Sequence, residues 1–276
     1  MTQRPGRQWA VLDEPGPLAI AHRGGATYPP NLGVENSFAA FRRAVEMGYR
    51  WLETDVHVSR DGVVFAFHDA TLMRLTGEDG SVADLDADTV LRARIGGTEP
   101  VPTLHGLLEA FPQARFNIDV KDDRAVQPLV ELLGLLDAWG RVCLASFSQR
   151  RLLRLRRAAP PGAATSAGPA EVAALRVTPP WLPAWVDRAA TRPLPVSVWD
   201  TLACVQVPVR VGTIPLATAG FLRAAHARGL AVHVWTIDDP DEMHRLLELG
   251  VDGLITDRID VLKDVLVARG QWSGAA

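Results

Sequence analysis

The sequence predicts an α/β fold, a (β/α)8 TIM barrel with a small insertion after strand 2, and three observations carry that prediction. Short apolar runs alternate with helix-period segments from residue 18 to residue 268, the pattern of βα units around a parallel sheet. Eight such runs are present, the number at which the barrel closes. No linker interrupts the alternation, and a chain of 276 residues that is 47% hydrophobic can bury one large core.

Taken in order, the predicted strands are Leu18–His22, Trp51–Val56, Arg115–Lys121, Val142–Phe147, Ala164–Ala167, Cys204–Val209, Ala231–Ile237 and Gly253–Thr256. Helix starts are legible where a capping side chain precedes an amphipathic period. Asn36-Ser37 opens a helix to Met47, Thr103 one to Phe111, and Ser148 one to Arg157. Gly48, Gly229 and Gly250 read as helix C-caps, the last two shortly before a strand.

The domain reading is an N-terminal extension over 1–17 and a single barrel domain over 18–270, with the insertion at about 63–102. That insertion begins with the turn signal Asp61-Gly62, and the apolar run Val63 to Phe67 then returns as a hairpin strand that delivers His68-Asp69. A second departure from the repeat, Arg176 to Asp200, is rich in Pro and Trp. Trp181 and Trp185 stand one helical turn apart there, so the segment reads either as a loop packed on the rim or as a lid or lipid-contacting lip.

A net charge of −3 with both signs interspersed offers no basic face to a nucleic acid. The two cysteines, Cys143 and Cys204, lie in apolar runs without CxxC spacing and read as buried thiols. The N-terminus lacks the apolar core of a secretory signal and no apolar run reaches spanning length, so the expected location is cytoplasmic.

The chemistry is concentrated in Ala21-His22-Arg23-Gly24-Gly25, Glu35-Asn36, Glu53-Thr54-Asp55 and His68-Asp69, with Asp119 and Lys121 on a third strand and Trp235 near the end of a seventh. Residues at the C-terminal ends of barrel strands converge on one mouth. Glu53 and Asp55 are two apart, as are Asp119 and Lys121, so each pair faces one side of its strand. Three inward carboxylates repel one another unless something neutralises them. Oxygen ligands without a Cys or multi-His set imply a hard cation, Mg²⁺ or Ca²⁺; the competing arrangement is a carboxylate network paired with Arg and Lys. His22 and His68 are suited to act as general base and general acid, and the neighbouring Arg23 to hold a phosphate bidentately. Lys121 either binds phosphate oxygens or balances Asp119. His57, His105, His226, His233 and His244 lack such company and read as structural or surface residues.

These motifs, together with Ser37, Val56, Asp61-Gly62, Val120 and Asp252-Gly253-Leu254-Ile255-Thr256-Asp257, resemble the glycerophosphodiester phosphodiesterase family in order and spacing over nearly the whole chain. The resemblance implies one divalent cation, usually Ca²⁺ or Mg²⁺, and hydrolysis of glycerophosphodiesters to sn-glycerol 3-phosphate and an alcohol. It also implies a place in lipid and glycerol metabolism. Residue by residue, His22 and His68 match the catalytic histidines, Glu53 and Asp55 match metal ligands, and Arg23 and Lys121 match phosphate contacts. Glu35 matches a position beside the metal, and Trp235 resembles an aromatic residue that flanks the substrate. The family's third metal carboxylate is usually Glu, and Asp119 is one methylene shorter; Val34-Glu35-Asn36-Ser37 stands where the family usually has Pro-Glu-Asn-Thr. Two other functions compete with this one: a lysophospholipase D-type activity on a lipid phosphodiester, and a catalytically silent barrel that binds a phosphorylated ligand or partner.

Overall fold

The computed structural model describes residues 9–177 and 198–274. Eight strands form the barrel: β1 (Leu18–His22), β2 (Trp51–Val58), β3 (Arg115–Val120), β4 (Val142–Ala145), β5 (Ala164–Thr165), β6 (Cys204–Pro208), β7 (Ala231–Trp235) and β8 (Gly253–Thr256). They pair in the order β5-β4-β3-β2-β1-β8-β7-β6, and all of these pairs are parallel. A parallel bridge between Ser166 and Cys204 joins the two end strands. Beside it the N–H of Ala203 reaches the Thr165 carbonyl at 2.9 Å and that of Ala167 the Cys204 carbonyl at 2.8 Å.

Strand bounds differ from the sequence reading at six places. β2 runs on to Val58 because Val64–Ala66 pairs antiparallel with its last residues, His57 lying opposite Phe65. β3, β4, β5, β6 and β7 stop at Val120, Ala145, Thr165, Pro208 and Trp235, short of the predicted Lys121, Phe147, Ala167, Val209 and Ile237. At the mouth the last apolar residues leave the ladder for the βα loops, so an apolar run overstates its strand.

The helices begin at the expected caps. Ser37 Oγ accepts the N–H of Ala40 before Phe38–Glu46, Thr103 that of Gly106 before Leu104–Ala110, and Ser148 that of Arg151 before Gln149–Ala158. Each such cap is worth about 1 kcal/mol. Gly250 closes Pro240–Leu249 in the left-handed conformation.

Alternation along the strands sorts residues into layers. Ile20, Trp51, Cys143, Ala164, Cys204, Ala231 and Ile255 fill the barrel floor, where Val11 and Leu12 of the N-terminal turn plug it from below. There Arg115 is ion-paired with Glu14. Cys143 and Cys204 are buried free thiols, their sulfurs 3.7 Å apart. The outward strand residues, including Leu52, Phe116, Leu144, Val205 and Val232, share one apolar cluster with helix residues such as Phe41.

Between β2 and β3, the residues after the return strand form the helices Met73–Thr76 and Ala87–Arg92 and a two-stranded ribbon of Arg94–Ile95 with Glu99–Pro100. Phe65, Phe67, Leu72, Val90, Ile95 and Val101 give this segment its own apolar cluster. Its ribbon meets the barrel where Glu99 Oε2 accepts the N–H of Ala39, in the first turn of Phe38–Glu46, at 3.2 Å. An acid in that place suits the positive end of a helix.

Candidate active site

The same alternation carries the polar residues upward to the C-terminal mouth. A cavity of about 740 Å³ opens there, and His22, Arg23, Glu53, Asp55, His68, Asp119, Lys121 and Trp235 all line it. Register explains the convergence: His22 lies opposite Glu53, Glu53 opposite Asn117, and Asp55 opposite Asp119. Glu35 stands behind this wall, its carboxylate bonded to Arg23 at 3.0 Å and to Arg74 at 2.7 Å.

The turn after β1 has an unusual backbone. Arg23 has φ 51° and Asn36 φ 57°, left-handed values that are uncommon outside glycine. The N–H of Arg23 bonds the Glu53 carbonyl at 3.0 Å and its carboxylate at 3.1 Å. Gly24 and Gly25 follow at φ 83° and 92°, and a Cβ on Gly24 would stand 2.9 Å from the Ala40 backbone. Only glycine fits both demands. Asn31 fastens this turn by donating to the carbonyls of Gly24 and Gly25 at 2.9 and 3.1 Å.

Each of the two site histidines has its Nδ1 held by a carboxylate. His22 Nδ1 lies 2.7 Å from Asp257 Oδ1, and its Nε2 lies 3.8 Å from Glu53 Oε2. Burial lowers the affinity of His22 for its proton, but the Glu53 charge and the Asp257 hydrogen bond outweigh it and hold the imidazole up at about 9. His68 Nδ1 lies 2.6 Å from Asp69 Oδ1. Asp69 itself is held down at about 2 by the Arg74 hydrogen bond. An ionised carboxylate only accepts, so the Nδ1–H of His68 donates to it and Nε2 keeps its lone pair when the ring is neutral.

The carboxylates are buried and crowded. Burial first, and then the Asp55 charge, push Glu53 up to about 8. Burial acts the same way on Asp55, but Lys121 and Arg23 outweigh it and hold that carboxyl below its ordinary range. At Asp119 burial wins over Lys121 and the carboxyl is raised. Lys121 Nζ stands 2.9 Å from Asp55 and 2.5 Å from Asp119.

Two observations bear on a cation. Asp119 Oδ1 is buried without a hydrogen-bond partner, and Glu53 shares its buried space with two further carboxylates whose charge raises it. This all-oxygen donor set fits a hard divalent ion. Among the described residues no three His, Cys, Asp or Glu side chains stand together as a formed metal-holding group; with the side chains as they lie, the Lys121 ammonium bridges Asp55 and Asp119.

Several residues at the site carry roles that the sequence reading did not give them. Asp257 holds His22; in the sequence it stands only as the end of the Asp252 to Asp257 motif, and its place just after β8 is the signal that it belongs to the mouth. His57, read as structural or surface, is buried and bonds the His68 carbonyl through Nε2 at 3.1 Å, so it supports the backbone of a site residue. His233 is buried inside the barrel. Asn36 bonds Asp55 at 3.2 Å and accepts from Thr54 at 2.7 Å. Arg74 has no sequence signal at all, because a single Arg in a short polar segment is unremarkable.

The cavity is also lined by the apolar side chains of Phe147, Val172, Val211, Ile214, Leu216 and Trp235. Phe147 and Trp235 meet edge to face at 5.4 Å between ring centroids. Trp181 and Trp185, and with them most of the Pro- and Trp-rich segment expected as a lid or rim loop, lie outside the described residues. Among the described residues no helix is long and apolar enough to cross a membrane.

Comparison with known proteins agrees with this architecture. Solved structures share the fold: a glycerophosphodiester phosphodiesterase of Agrobacterium tumefaciens superposes with a TM-score of 0.72 at 22% identity, over 91% of this chain and 99% of its own. An Oleispira antarctica phosphodiesterase in complex with the product sn-glycerol-3-phosphate superposes at 0.70 with 23% identity, over 91% and 97%. In sequence, a probable glycerophosphodiester phosphodiesterase 2 of Mycobacterium tuberculosis is 41% identical over 94% of each chain. Lysophospholipase D GDPD1 of Rattus norvegicus is 27% identical over 90% of this chain and 85% of its own. The family model described as the glycerophosphoryl diester phosphodiesterase family matches residues 22–261. With the match spanning every barrel strand from the end of β1 to the helix after β8, the chain belongs to the glycerophosphoryl diester phosphodiesterase family, a family of hydrolases.

Proposed function

We propose that this chain hydrolyses glycerophosphodiesters to sn-glycerol 3-phosphate and an alcohol, with two histidines moving the protons and a divalent cation, Mg²⁺ or Ca²⁺, as cofactor. The observation that carries the reading is the pairing of His22 with Asp257 and His68 with Asp69 on one cavity that also presents Arg23 and Lys121. The family membership and the 41% identical relative support it.

In this mechanism the substrate phosphate lies against Arg23, whose guanidinium offers a planar pair of donors. One histidine takes the proton of the attacking water or hydroxyl, and the other gives a proton to the leaving alkoxide. Their fixed Nδ1 partners aim each ring and leave Nε2 for the transfer. Glu53, Asp55 and Asp119 would hold the cation, with Glu35 beside it. When bound, such an ion polarises the phosphodiester and neutralises developing charge. Lys121, whose ammonium lies between Asp55 and Asp119 on the cavity wall, would be available to phosphate oxygens if a cation took over the balance of those carboxylates.

The test is a matrix of metal and substrate. Protein stripped with a chelator is titrated with Ca²⁺ or Mg²⁺ against several glycerophosphodiesters, and release of sn-glycerol 3-phosphate is measured. Metal-restored release is the expected result; no release from any of them would return the chain to the class of silent ligand-binding barrels.

The apolar lining from Phe147 to Leu216 favours a second reading, cleavage of a lysophospholipid, which the rat relative's name also suggests. Turnover of glycerophosphocholine against lysophosphatidylcholine separates the two, and a strong preference for the lipid would replace the first reading.

A further inference from the structure

We propose that Arg74 is a positioning residue for this reaction, holding Asp69 against His68 and Glu35 against Arg23 so that one side chain sets both sides of the site. The inference rests on the phosphodiesterase reading above. Its basis is how a single guanidinium is shared. Nε and Nη2 of Arg74 bond Asp69 at 2.5 and 3.1 Å, while Nη1 and Nη2 bond Glu35 at 3.2 and 2.7 Å. The planar fork of Arg can give two N–H bonds to each of two carboxylates at once, whereas an ammonium has three donors radiating from one point.

Each carboxylate passes the constraint on. Asp69 Oδ1 receives the Nδ1–H of His68 at 2.6 Å, and Glu35 Oε1 receives Arg23 Nη1 at 3.0 Å. Among the described residues His68 and Arg74 are the two that bond the Asp69 side chain. Without Arg74, Asp69 and the His68 ring lose their outer anchor, and Glu35 is left to Arg23 alone. Arg74 is not among the cavity-lining residues, so it acts through its partners rather than on the substrate.

The backbone that carries Arg74 does not depend on its side chain. Leu72 is buried and Leu75 packs against the apolar cluster of the insertion, and the Leu75 carbonyl accepts the N–H of Gly96 at 2.9 Å. The side chain itself is 46% exposed. Its removal is therefore expected to leave the fold and thermal midpoint nearly unchanged, since exposed ion pairs contribute little to stability.

The experiment compares wild type with Arg74→Ala and Arg74→Lys by glycerophosphodiester turnover and by the Nδ1–H proton resonance of His68, assigned by its loss in His68→Gln. Expected for Arg74→Ala is a fall in kcat of about 10- to 100-fold, the scale for groups that orient a reacting residue, with the His68 resonance lost. Tens of millimolar guanidinium chloride should restore part of both, whereas the same concentration of sodium chloride should not. Arg74→Lys should fall between the two, and it serves in place of Arg74→Ala if that variant does not fold. A kcat within twofold of wild type, or a fall in kcat with the His68 resonance unmoved, overturns the assignment. If wild type itself turns over no glycerophosphodiester, the functional reading fails, while the resonance in Arg74→Ala still decides whether Arg74 positions His68.

Discussion

The N–H of Asn36 donates to the carbonyl of Arg23 at 2.9 Å, and both residues are held in the left-handed region, at φ 57° and 51°. Two strained residues thus lock each other at the wall of the cavity, where strain persists only if the surroundings fix it. Asn36 also pins Asp55 and Thr54 through its side chain. Two substitutions separate these effects. Asn36→Gly keeps the backbone and loses the side-chain bonds, which are worth about 1–3 kcal/mol when a charged partner is involved. Asn36→Ala also adds the left-handed penalty of about 1–2 kcal/mol. Chemical denaturation should therefore rank wild type above Asn36→Gly and that above Asn36→Ala, and equal stability of the two variants would remove strain from the account.

Gly24 is expected to be intolerant for a different reason. A methyl group there meets the Ala40 backbone at 2.9 Å and sits at φ 83°. Gly24→Ala should cost roughly 1–3 kcal/mol by strain alone, read as a lower denaturation midpoint. Glycine at 33, whose added Cβ would meet nothing within 4 Å, shares the positive φ without the clash. Its alanine variant is the control and should lose less.

Replacing either His22 or His68 with Ala should lower kcat by about 10² or more, the usual contribution of general acid–base catalysis. The measurement is steady-state turnover at saturating substrate. An unchanged kcat in either variant removes that histidine from the proposed proton transfers.

Asp257 gives a pH-dependent prediction. His22 is raised from 6.5 to about 9 despite burial, with Glu53 the largest raising cause and the Asp257 hydrogen bond next. A raised histidine stabilises the fold fully below the unfolded value of 6.5 and loses that stabilisation as pH climbs through 9. Asp257→Asn should thus lower the His22 titration midpoint. The gap in stability between wild type and variant, on the order of 1 kcal/mol, should be widest below pH 6.5 and close by about pH 9. Denaturation at pH 6 and pH 9 with NMR titration of His22 checks both halves, and a gap that widens with pH would contradict the assignment.

Much of this architecture was written locally. Eight apolar runs gave eight strands, Ser37, Thr103 and Ser148 cap the helices they were expected to cap, and the hairpin after Asp61-Gly62 brings His68 back to the mouth. Period-two alternation placed Glu53 with Asp55 and Asp119 with Lys121 on inward faces, and the structure has all four lining one cavity. Strand ends were less legible. An apolar residue such as Phe147 serves equally well as the last strand residue or as an exposed cavity wall, and in the structure it is 65% exposed.

What the sequence by itself determined is the repeat, the barrel it closes into and the chemical types gathered at its mouth, because these follow from spacing along the chain. Only the tertiary structure decided the partnerships: His22 with Asp257, 235 positions away, Arg74 with Glu35, 39 away, and His57 beneath the His68 carbonyl. A hydrogen bond depends on distance and direction in space, and for residues on different strands those are set by barrel closure and by the insertion's fold, not by the order of residues.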